Sequence, residues 1–534
     1  MSPSGLAKPL AALSALVLSV LCMPSAAGAQ ELRIALSEEV STADPQRDNL
    51  RSHNSFSRHA FEPLVERDAR LQPVPRLATG WRMLDDRRWE FTLRPGVTFH
   101  DGSPFTARDV LYSLCRVRVL PGGAVPFKGF LRGVEEVTAP DPGTVIVRTR
   151  DPDPGIPSGL GQIAIVRAPA GANAVFHPEG CTGAAWTPQE RFDDGSEAIG
   201  TGPFRLVAFR RDGVSRFERN DAYWGARPAW SAVSIRTIAD EVARIRSVIA
   251  GESDIIDRVA VETLDFLKSW PGVRVVQAES ALLWYMQVDQ EREPPPHIAG
   301  TNGRNPFKDR RVREALSLAI SRPALAERVL GGFGAAAGQM VPPGLVGHDP
   351  ALPPPDHDPD KARRLLAEAG YPDGFEVRFL GLGSRRALIE ALEQMLGAIG
   401  LRVTVDGAVG KAYSERRANR EFGVLISGWA TTSGELGQPL RDVLMTHDRA
   451  GGTGTVNFGR YSNRALDALA SEALGTVDRG AREERLRTAA RLVAEDVAII
   501  PLFFDPLLWA MRYDLEITPR MDFFTVATDV RPRP

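Results

Sequence analysis

The chain has 534 residues, of which 65 are lysine or arginine and 67 are aspartate or glutamate, so its formal net charge is −2. This balance, without a basic run or basic residues interleaved with aromatics, argues against a nucleic-acid-binding protein. The chain is too long for a single core, and its three cysteines are few, so apolar burial in two or three domains must provide the stability.

The first residues follow the pattern of a secretory signal. Lys8 precedes an apolar run over residues 10–23, and a stretch of small residues ends at Ala29. This pattern predicts a signal peptide over residues 1–29, cleaved after Ala29, and export to the periplasm. Cys22 lacks a small residue before it, so a lipid-anchored form is not expected.

Three helices have clear beginnings. Thr106 and Asp109 have the spacing of a capping box. Asp240 and Asp358 stand at N-cap positions ahead of apolar residues at helical spacing. The helix that begins at Asp358 is expected to stop at Gly370.

Short strands with alternating polarity lie between the helices. The clearest are residues 89–93, 144–149, 375–379 and 401–405. An Asp-Gly turn at 212–213 predicts a hairpin that joins residues 204–209 to residues 214–217. The alternation of strands and helices favours the α/β class.

Two cysteines, Cys115 and Cys181, follow the signal peptide. In an oxidising compartment they form a disulfide if their Cα atoms come close enough. The alternative is a pair of buried free thiols. The sequence leaves both open.

Several motifs in a fixed order resemble the extracellular solute-binding proteins of the peptide/nickel ABC transporter family, family 5, of the dipeptide- and oligopeptide-binding type. The motifs are FEPLVE at 61–66, PRLATGW at 75–81, RPGVTFHDG at 94–102, FTARDV at 105–110, IGTGPF at 199–204, ERNDAYWG at 218–225, DRRVREAL at 309–316 and AEAGY at 367–371. Each motif has a structural explanation of its own, so together they indicate the fold and not the ligand.

The resemblance implies a two-lobe periplasmic binding protein of type II, with two crossover strands and an extra subdomain in lobe one. The crossover strands are expected at residues 282–288 and 499–504. The expected division is signal peptide 1–29, lobe one 30–62, extra subdomain 63–195, lobe one 196–280, lobe two 281–504 and lobe one 505–534.

The same resemblance implies a substrate-binding component that captures a small peptide or peptide-like solute between its lobes. It would act as a monomer and deliver the solute to the membrane permease of an ABC transporter. No cofactor and no metal are expected, because the eight histidines lack metal-ligand spacing apart from the weak pair His53 and His59.

The loop formed by Trp429, Ala430, Thr431 and Thr432 is the first candidate ligand site. In the dipeptide-binding type, the matching loop carries an aspartate that holds the peptide amino group, and here Thr432 stands at that position. A hydroxyl gives only a neutral hydrogen bond where a carboxylate gives a charge-assisted one. A blocked, anionic or non-peptide ligand is therefore favoured, unless Glu435 replaces the missing carboxylate.

Further candidates lie elsewhere in the chain. Arg385 and Arg386 follow a strand and open a helix, at the loop where the family places an arginine that meets the ligand carboxylate. His53 and Asn54 are expected in a loop at the rim of the cleft, and Tyr285 lies on the first crossover strand. The alternative for Arg385 and Arg386 is a solvated helix start, for His53 a structural role, and for Trp429 an ordinary place in the core.

The sequence also bears on functions other than solute binding for transport. The sequence contains no Gly-x-Ser-x-Gly, His-Glu-x-x-His or phosphate-binding glycine motif, which makes a secreted hydrolase the weaker hypothesis. A sensor subunit, or a binding protein for an opine, a glycoside or a metal chelate, remains an alternative.

Overall fold

The computed structural model describes residues 30–120 and 127–533. The predicted signal peptide, residues 1–29, lies outside this part of the chain. Strands and helices alternate within it, which confirms a mixed α/β fold. No helix of the described residues is long and apolar enough to cross a membrane.

The helices are α1 Arg51–Ser57, α2 Ala107–Val119, α3 Ile156–Leu160, α4 Glu190–Asp193, α5 Glu241–Ile249, α6 Leu264–Lys268, α7 Arg310–Leu318, α8 Arg322–Arg328, α9 Pro359–Glu368, α10 Arg386–Gly397, α11 Gly410–Ala418, α12 Gly437–Pro439, α13 Arg464–Gly475 and α14 Arg479–Glu495. The strands are β1 Glu31–Leu36, β2 Val65–Arg67, β3 Pro73–Pro75, β4 Ala78–Asp85, β5 Arg88–Leu93, β6 Val134–Asp141, β7 Thr144–Thr149, β8 Val175–His177, β9 Gly180–Thr182, β10 Phe204–Ala208, β11 Val214–Arg219, β12 Ala232–Thr237, β13 Ile255–Ile256, β14 Val273–Ala278, β15 Leu282–Val288, β16 Ile298–Ala299, β17 Ala335–Ala336, β18 Glu376–Leu382, β19 Arg402–Ala408, β20 Val424–Ala430, β21 Ile500–Phe504, β22 Leu507–Arg512, β23 Leu515–Ile517 and β24 Val530–Pro532.

Three of the predicted helices begin where their caps indicated. Asp240 accepts a hydrogen bond from the Ala243 N–H, and Asp358 accepts one from the Lys361 N–H. Thr106 and Asp109 form a capping box ahead of α2. These caps satisfy backbone donors that the first helical turn would otherwise leave unpaired.

The first large sheet, called lobe one below, has the order β10-β11-β12-β1-β13-β22-β14. Strand β1 lies at its centre and pairs in parallel with β12 and β13. The predicted hairpin is confirmed, because β10 pairs antiparallel with β11. Strand β22, which follows lobe two in the chain, enters the same sheet between β13 and β14.

A separate antiparallel sheet, called the subdomain below, has the order β4-β5-β7-β6-β8-β9. Helix α2 packs on β6, β8 and β9. Cys115 of α2 and Cys181 of β9 form a disulfide, with their Cα atoms 5.5 Å apart. The structure thus decides between the two alternatives that the sequence left open.

The second large sheet, called lobe two below, has the order β16-β18-β20-β15-β21-β17, with β19 beside β18. The chain passes from lobe one into lobe two between β14 and β15, and it returns to lobe one between β21 and β22. Trp284 and Met286 of β15 belong to one apolar cluster, while Leu283 and Tyr285 belong to another. This strand is buried on both faces, which explains its continuous apolar sequence.

Candidate functional site

A cavity of about 840 Å³ lies between lobe one and lobe two. Lobe one contributes the loop after β1, helix α1, the loop after β13 and the segment around Phe523. Lobe two contributes Trp284 of β15, the turn between β18 and α10, helix α11 and the end of β20. A cavity of this size suits a small organic molecule.

Basic side chains outnumber acidic ones around this cavity. The acidic lining residues are Glu241, Glu262 and Asp505, and the basic ones are Arg51, Arg244, Arg258, Arg385, Arg386 and Arg417. Opposite lobes supply these arginines. Glu38 pairs with Arg51 and Arg258, Asp257 with Arg244, and Glu390 with Arg386, so carboxylates behind the wall balance part of this charge. The positive charge that remains makes the cavity attractive to an anion.

Arg385 lies on the cavity wall but already has a partner. Its guanidinium forms an ion pair with Asp505, the residue that follows β21, and stacks 4.8 Å from the Trp284 ring centre. Burial raises the pKa of Asp505, although Arg385 opposes that rise. A ligand carboxylate would therefore share Arg385 with Asp505.

Arg386 lines the same cavity from its mouth. Its side chain is 85% exposed and pairs with Glu390 one helical turn along α10. An exposed pair of this kind is weak and screened by salt. Arg386 can therefore turn toward a ligand at little cost.

Arg417 of α11 differs from the other lining arginines. It makes no ion pair with any residue that the structure describes, and its Nε is buried without a hydrogen-bond acceptor. Its guanidinium stacks 4.9 Å from the Phe458 ring centre and 5.3 Å from that of Tyr413. The aromatic rings hold the cation in place and leave its charge unneutralised.

The loop after β20 lines a smaller cavity of about 110 Å³. Ala430, Thr431 and Thr432 lie on its wall together with Asn54 of α1. The two cavities share lining residues, so they form one cleft. The shared residues are Arg51, Leu282, Leu507 and Phe523.

Local hydrogen bonds hold this loop. The Thr432 N–H donates to the Gln438 side-chain oxygen over 2.9 Å, and the Thr431 hydroxyl donates to the Glu435 carbonyl over 3.0 Å. The Thr432 carbonyl accepts from Arg67 over 2.7 Å. Arg67 belongs to the other side of the cleft, so this bond joins lobe two to the segment that precedes the subdomain.

Glu435 is not free to replace the missing aspartate. Both oxygens of its carboxylate are bound by Arg482, whose side chain is 7% exposed. Glu435 also faces a different cavity, between lobe two and the subdomain. The Glu435 side chain is 18% exposed in this ion pair.

Three predicted site residues point into the protein interior. Tyr285 is 2% exposed in a lobe-two cluster, and the Trp429 side chain packs against the same cluster. His53 is 1% exposed. The expectation that His53 and Asn54 occupy a loop was wrong, because both lie in α1; a run of small and polar residues hid this short helix.

Sequence reasoning missed Arg67, Trp284, Arg417 and Asp505 as cleft residues. Arg417 stands among other charged residues in a helix with little apolar character, and Arg67 follows a family motif without being part of it. Neither carries a local signal. Trp284, within the first expected crossover strand, and Asp505, directly after the second, had a positional clue.

Comparison with known proteins identifies the family. The model of bacterial extracellular solute-binding proteins, family 5 Middle, matches residues 72–443. The chain belongs to this family. The resemblance inferred from the motifs is thereby confirmed, and so is the prediction of a transport-related binding protein rather than an enzyme.

Relatives of this family-5 protein match over most of its length. Heme-binding protein A of Haemophilus influenzae is 26% identical over 479 residues, covering 84% of this chain and 82% of that protein. Glutathione-binding protein GsiB of Salmonella typhi is 25% identical over 520 residues, covering 95% of each. The periplasmic binding protein DppA of Helicobacter pylori, solved with the peptide STSA, has a TM-score of 0.72 at 21% identity and covers 94% of this chain and 98% of its own. At that identity, DppA supports the fold alone.

Proposed function

We propose that this family-5 protein is the periplasmic substrate-binding component of an ABC transporter, and that its cleft captures a small anionic, peptide-like solute for delivery to a membrane permease. The observation that carries the proposal is Arg417, a cation on the cavity wall that lacks an ion-pair partner among the described residues. A ligand carboxylate would provide the missing partner.

The cost of desolvation explains why an unpaired arginine indicates an anion. A guanidinium that loses water without gaining a counter-ion is destabilised, whereas a carboxylate can bind it in bidentate geometry. Arg385, shared with Asp505, and Arg386 at the mouth offer further contacts to a second acidic group. A ligand with two acidic groups uses these contacts best.

The ligands in the names of two relatives agree with this chemistry. Heme-binding protein A and glutathione-binding protein GsiB are named for compounds that each carry two carboxylates. Glutathione is also a tripeptide, of a size that suits a cavity of about 840 Å³. An acidic di- or tripeptide, or an opine-like relative of one, fits the described lining.

Capture would be coupled to lobe closure. Lobe one supplies Arg51 and Arg258, while lobe two supplies Arg385 and Arg417. A ligand that touches both sets gains contacts only when the lobes approach each other, so it favours the closed state. The permease would then recognise the closed form.

Titration calorimetry tests the proposal on the chain from residue 30 onward. The probes are glutathione and an N-acetylated acidic dipeptide, measured with the wild type and with Arg417→Ala. Loss of a charge-assisted hydrogen bond of about 1.5–3 kcal/mol is expected to raise Kd by about 10- to 150-fold. Arg417→Lys is expected to recover part of this loss, because it restores the charge without the planar geometry.

Lys411→Ala is the matched control. Lys411 lies on the same helix, α11, with a side chain that is 89% exposed, and it is not part of the cavity wall. Its removal takes away one positive charge and leaves the cavity unchanged. Equal weakening by both variants would refute a specific role for Arg417, and tighter binding of cationic than of acidic peptides would refute the proposed ligand class.

A further inference from the structure

Arg67 is a buried cation at the end of the cleft. It is the last residue of β2, its side chain is 1% exposed, and it lines the cavity of about 110 Å³ beside Thr432. Charged side chains are rarely buried so completely unless other groups pair with them.

Several groups hold the Arg67 guanidinium in this position. Nη1 donates to the Thr432 carbonyl over 2.7 Å. The Gln162 amide, with its oxygen turned toward Arg67, accepts from Nη1 over 2.8 Å and from Nε over 3.2 Å. The guanidinium also lies 5.6 Å from the Phe524 ring centre. The cation is therefore fixed at the place where the end of a ligand would approach Thr432.

The one carboxylate on the wall of this small cavity, within the described residues, is shared between Arg67 and Arg520. Asp522 accepts two hydrogen bonds from Arg520, over 2.7 and 2.9 Å, and another from the Phe524 N–H. Its ion pair with Arg67 is longer, at 3.9 Å. Because Arg51 lines the cavity as well, two cations face this space against one carboxylate that is already bound.

We propose that Arg67 is a specificity-determining residue that excludes a ligand's ammonium group from this end of the cleft. The ligand group next to Thr432 is then a blocked, uncharged amine or an anion. This inference deepens the proposed function and rests on it. It adds a repulsive element, and selectivity commonly depends on such elements as well as on attractive contacts.

Thr432 and Arg67 both affect how well an ammonium group binds at this end of the cleft. A carboxylate at position 432 would attract an ammonium. Thr432 has a hydroxyl instead, and its carbonyl accepts a hydrogen bond from Arg67. A free peptide amine would meet a positive charge in a desolvated space, where like charges repel strongly. Both residues therefore disfavour the same ligand group.

The first test needs no variant. Acidic di- and tripeptides and their N-acetylated counterparts are titrated into the wild type at pH 7 and pH 9. At pH 7 each blocked peptide is expected to bind about tenfold or more tightly than its free-amine counterpart. By pH 9 the free amine, with a pKa near 8, has largely lost its charge, so the gap should shrink by up to about tenfold.

Protein groups around Arg67 leave this pH window usable. Against the effect of burial, nearby arginines lower the pKa of Glu66 and of Asp522, and Asp522 raises the pKa of Arg520, so these three groups stay charged across the window. Arg58 also lies close to Arg67, and Asp529, whose pKa burial raises to about 6, is ionised from pH 7 upward. Burial lowers the pKa of Arg67 to about 10, so Arg67 stays mostly charged at pH 9. The blocked peptides correct for any remaining titration of the protein.

The second test uses Arg67→Gln, Thr432→Asp and the double variant. Thr432→Asp alone should gain little affinity for free amines, because Arg67 would pair with the new carboxylate. The double variant should bind free-amine peptides at least about tenfold more tightly than either single variant. Melting temperatures of all variants identify any that fails to fold, and the wild-type pH comparison stands without them.

The outcomes separate the two proposals. Tighter binding of free than of blocked acidic peptides at pH 7 would overturn the role of Arg67 while leaving an anion-binding cleft in place. Binding of neither form would overturn the proposed function, and this inference with it.

Discussion

The disulfide between Cys115 and Cys181 should contribute strongly to the stability of the subdomain. It joins α2 to β9 and closes a loop with a sequence separation of 66 residues. The chain-entropy model gives about 4 kcal/mol for a loop of this length. Replacing both cysteines by alanine should therefore lower the free energy of unfolding of the subdomain by about that amount.

Urea unfolding of the wild type and of the double variant, each with and without reductant, measures this effect. The wild type should lose stability when its disulfide is reduced, and the double variant should not respond to reductant. Alanine also removes the Cys115 sulfur from a fully buried position, which adds a packing loss that reduction alone does not cause. Coincident unfolding curves for oxidised and reduced wild type would show that the disulfide does not stabilise the subdomain.

Three further predictions concern protonation and the cleft. His59 is buried and neutral: its Nδ1–H donates to the Ser55 carbonyl and its Nε2 accepts from the Ala527 N–H, while burial lowers its pKa to about 4. The pKa of His59 in the folded protein lies below its value in the unfolded chain, near 6.5, so neutral His59 should contribute about 3 kcal/mol to the free energy of unfolding above pH 6.5, and this contribution should be lost as the pH falls toward 4. Urea unfolding of His59→Gln should therefore show a stability that depends less on pH than that of the wild type. An equal pH dependence of the two proteins would contradict this prediction. Asp505→Asn should free Arg385 and tighten the binding of an acidic ligand several-fold in calorimetry, since one competing carboxylate is removed; weaker binding would instead assign Asp505 to the ligand. Ligand should change the fluorescence of Trp284 on the cavity wall, so Trp284→Phe should lose most of the wild-type signal change while other tryptophans remain as an internal reference.

Local sequence patterns predicted the local structure well. The caps at Thr106, Asp240 and Asp358 and the hairpin turn at 212–213 depend on residues within a few positions of one another, and the structure contains them. The short helix α1 was missed because its sequence has neither a capping side chain nor apolar periodicity.

The cleft was only partly predictable, because it depends on contacts between distant parts of the chain. Arg67 and Thr432 are 365 residues apart, and Arg385 and Asp505 are 120 apart. The family loop pointed to Thr432 and Arg385, but nothing near them in the sequence identifies their partners. Trp429 had the right position in the chain, yet the alternation of β20 turns its side chain toward the lobe-two cluster.

The most direct test of the account is a thermal-shift screen of the chain from residue 30 onward with compounds of graded charge. The panel contains free and N-blocked di- to pentapeptides, glutathione, opines, oligosaccharides and nickel complexes. Ligands that bind only the folded protein raise its melting temperature. We expect the largest shifts with small acidic compounds, and smaller shifts with the same compounds in Arg417→Ala. Larger shifts with cationic peptides or neutral oligosaccharides would contradict an anion-binding cleft.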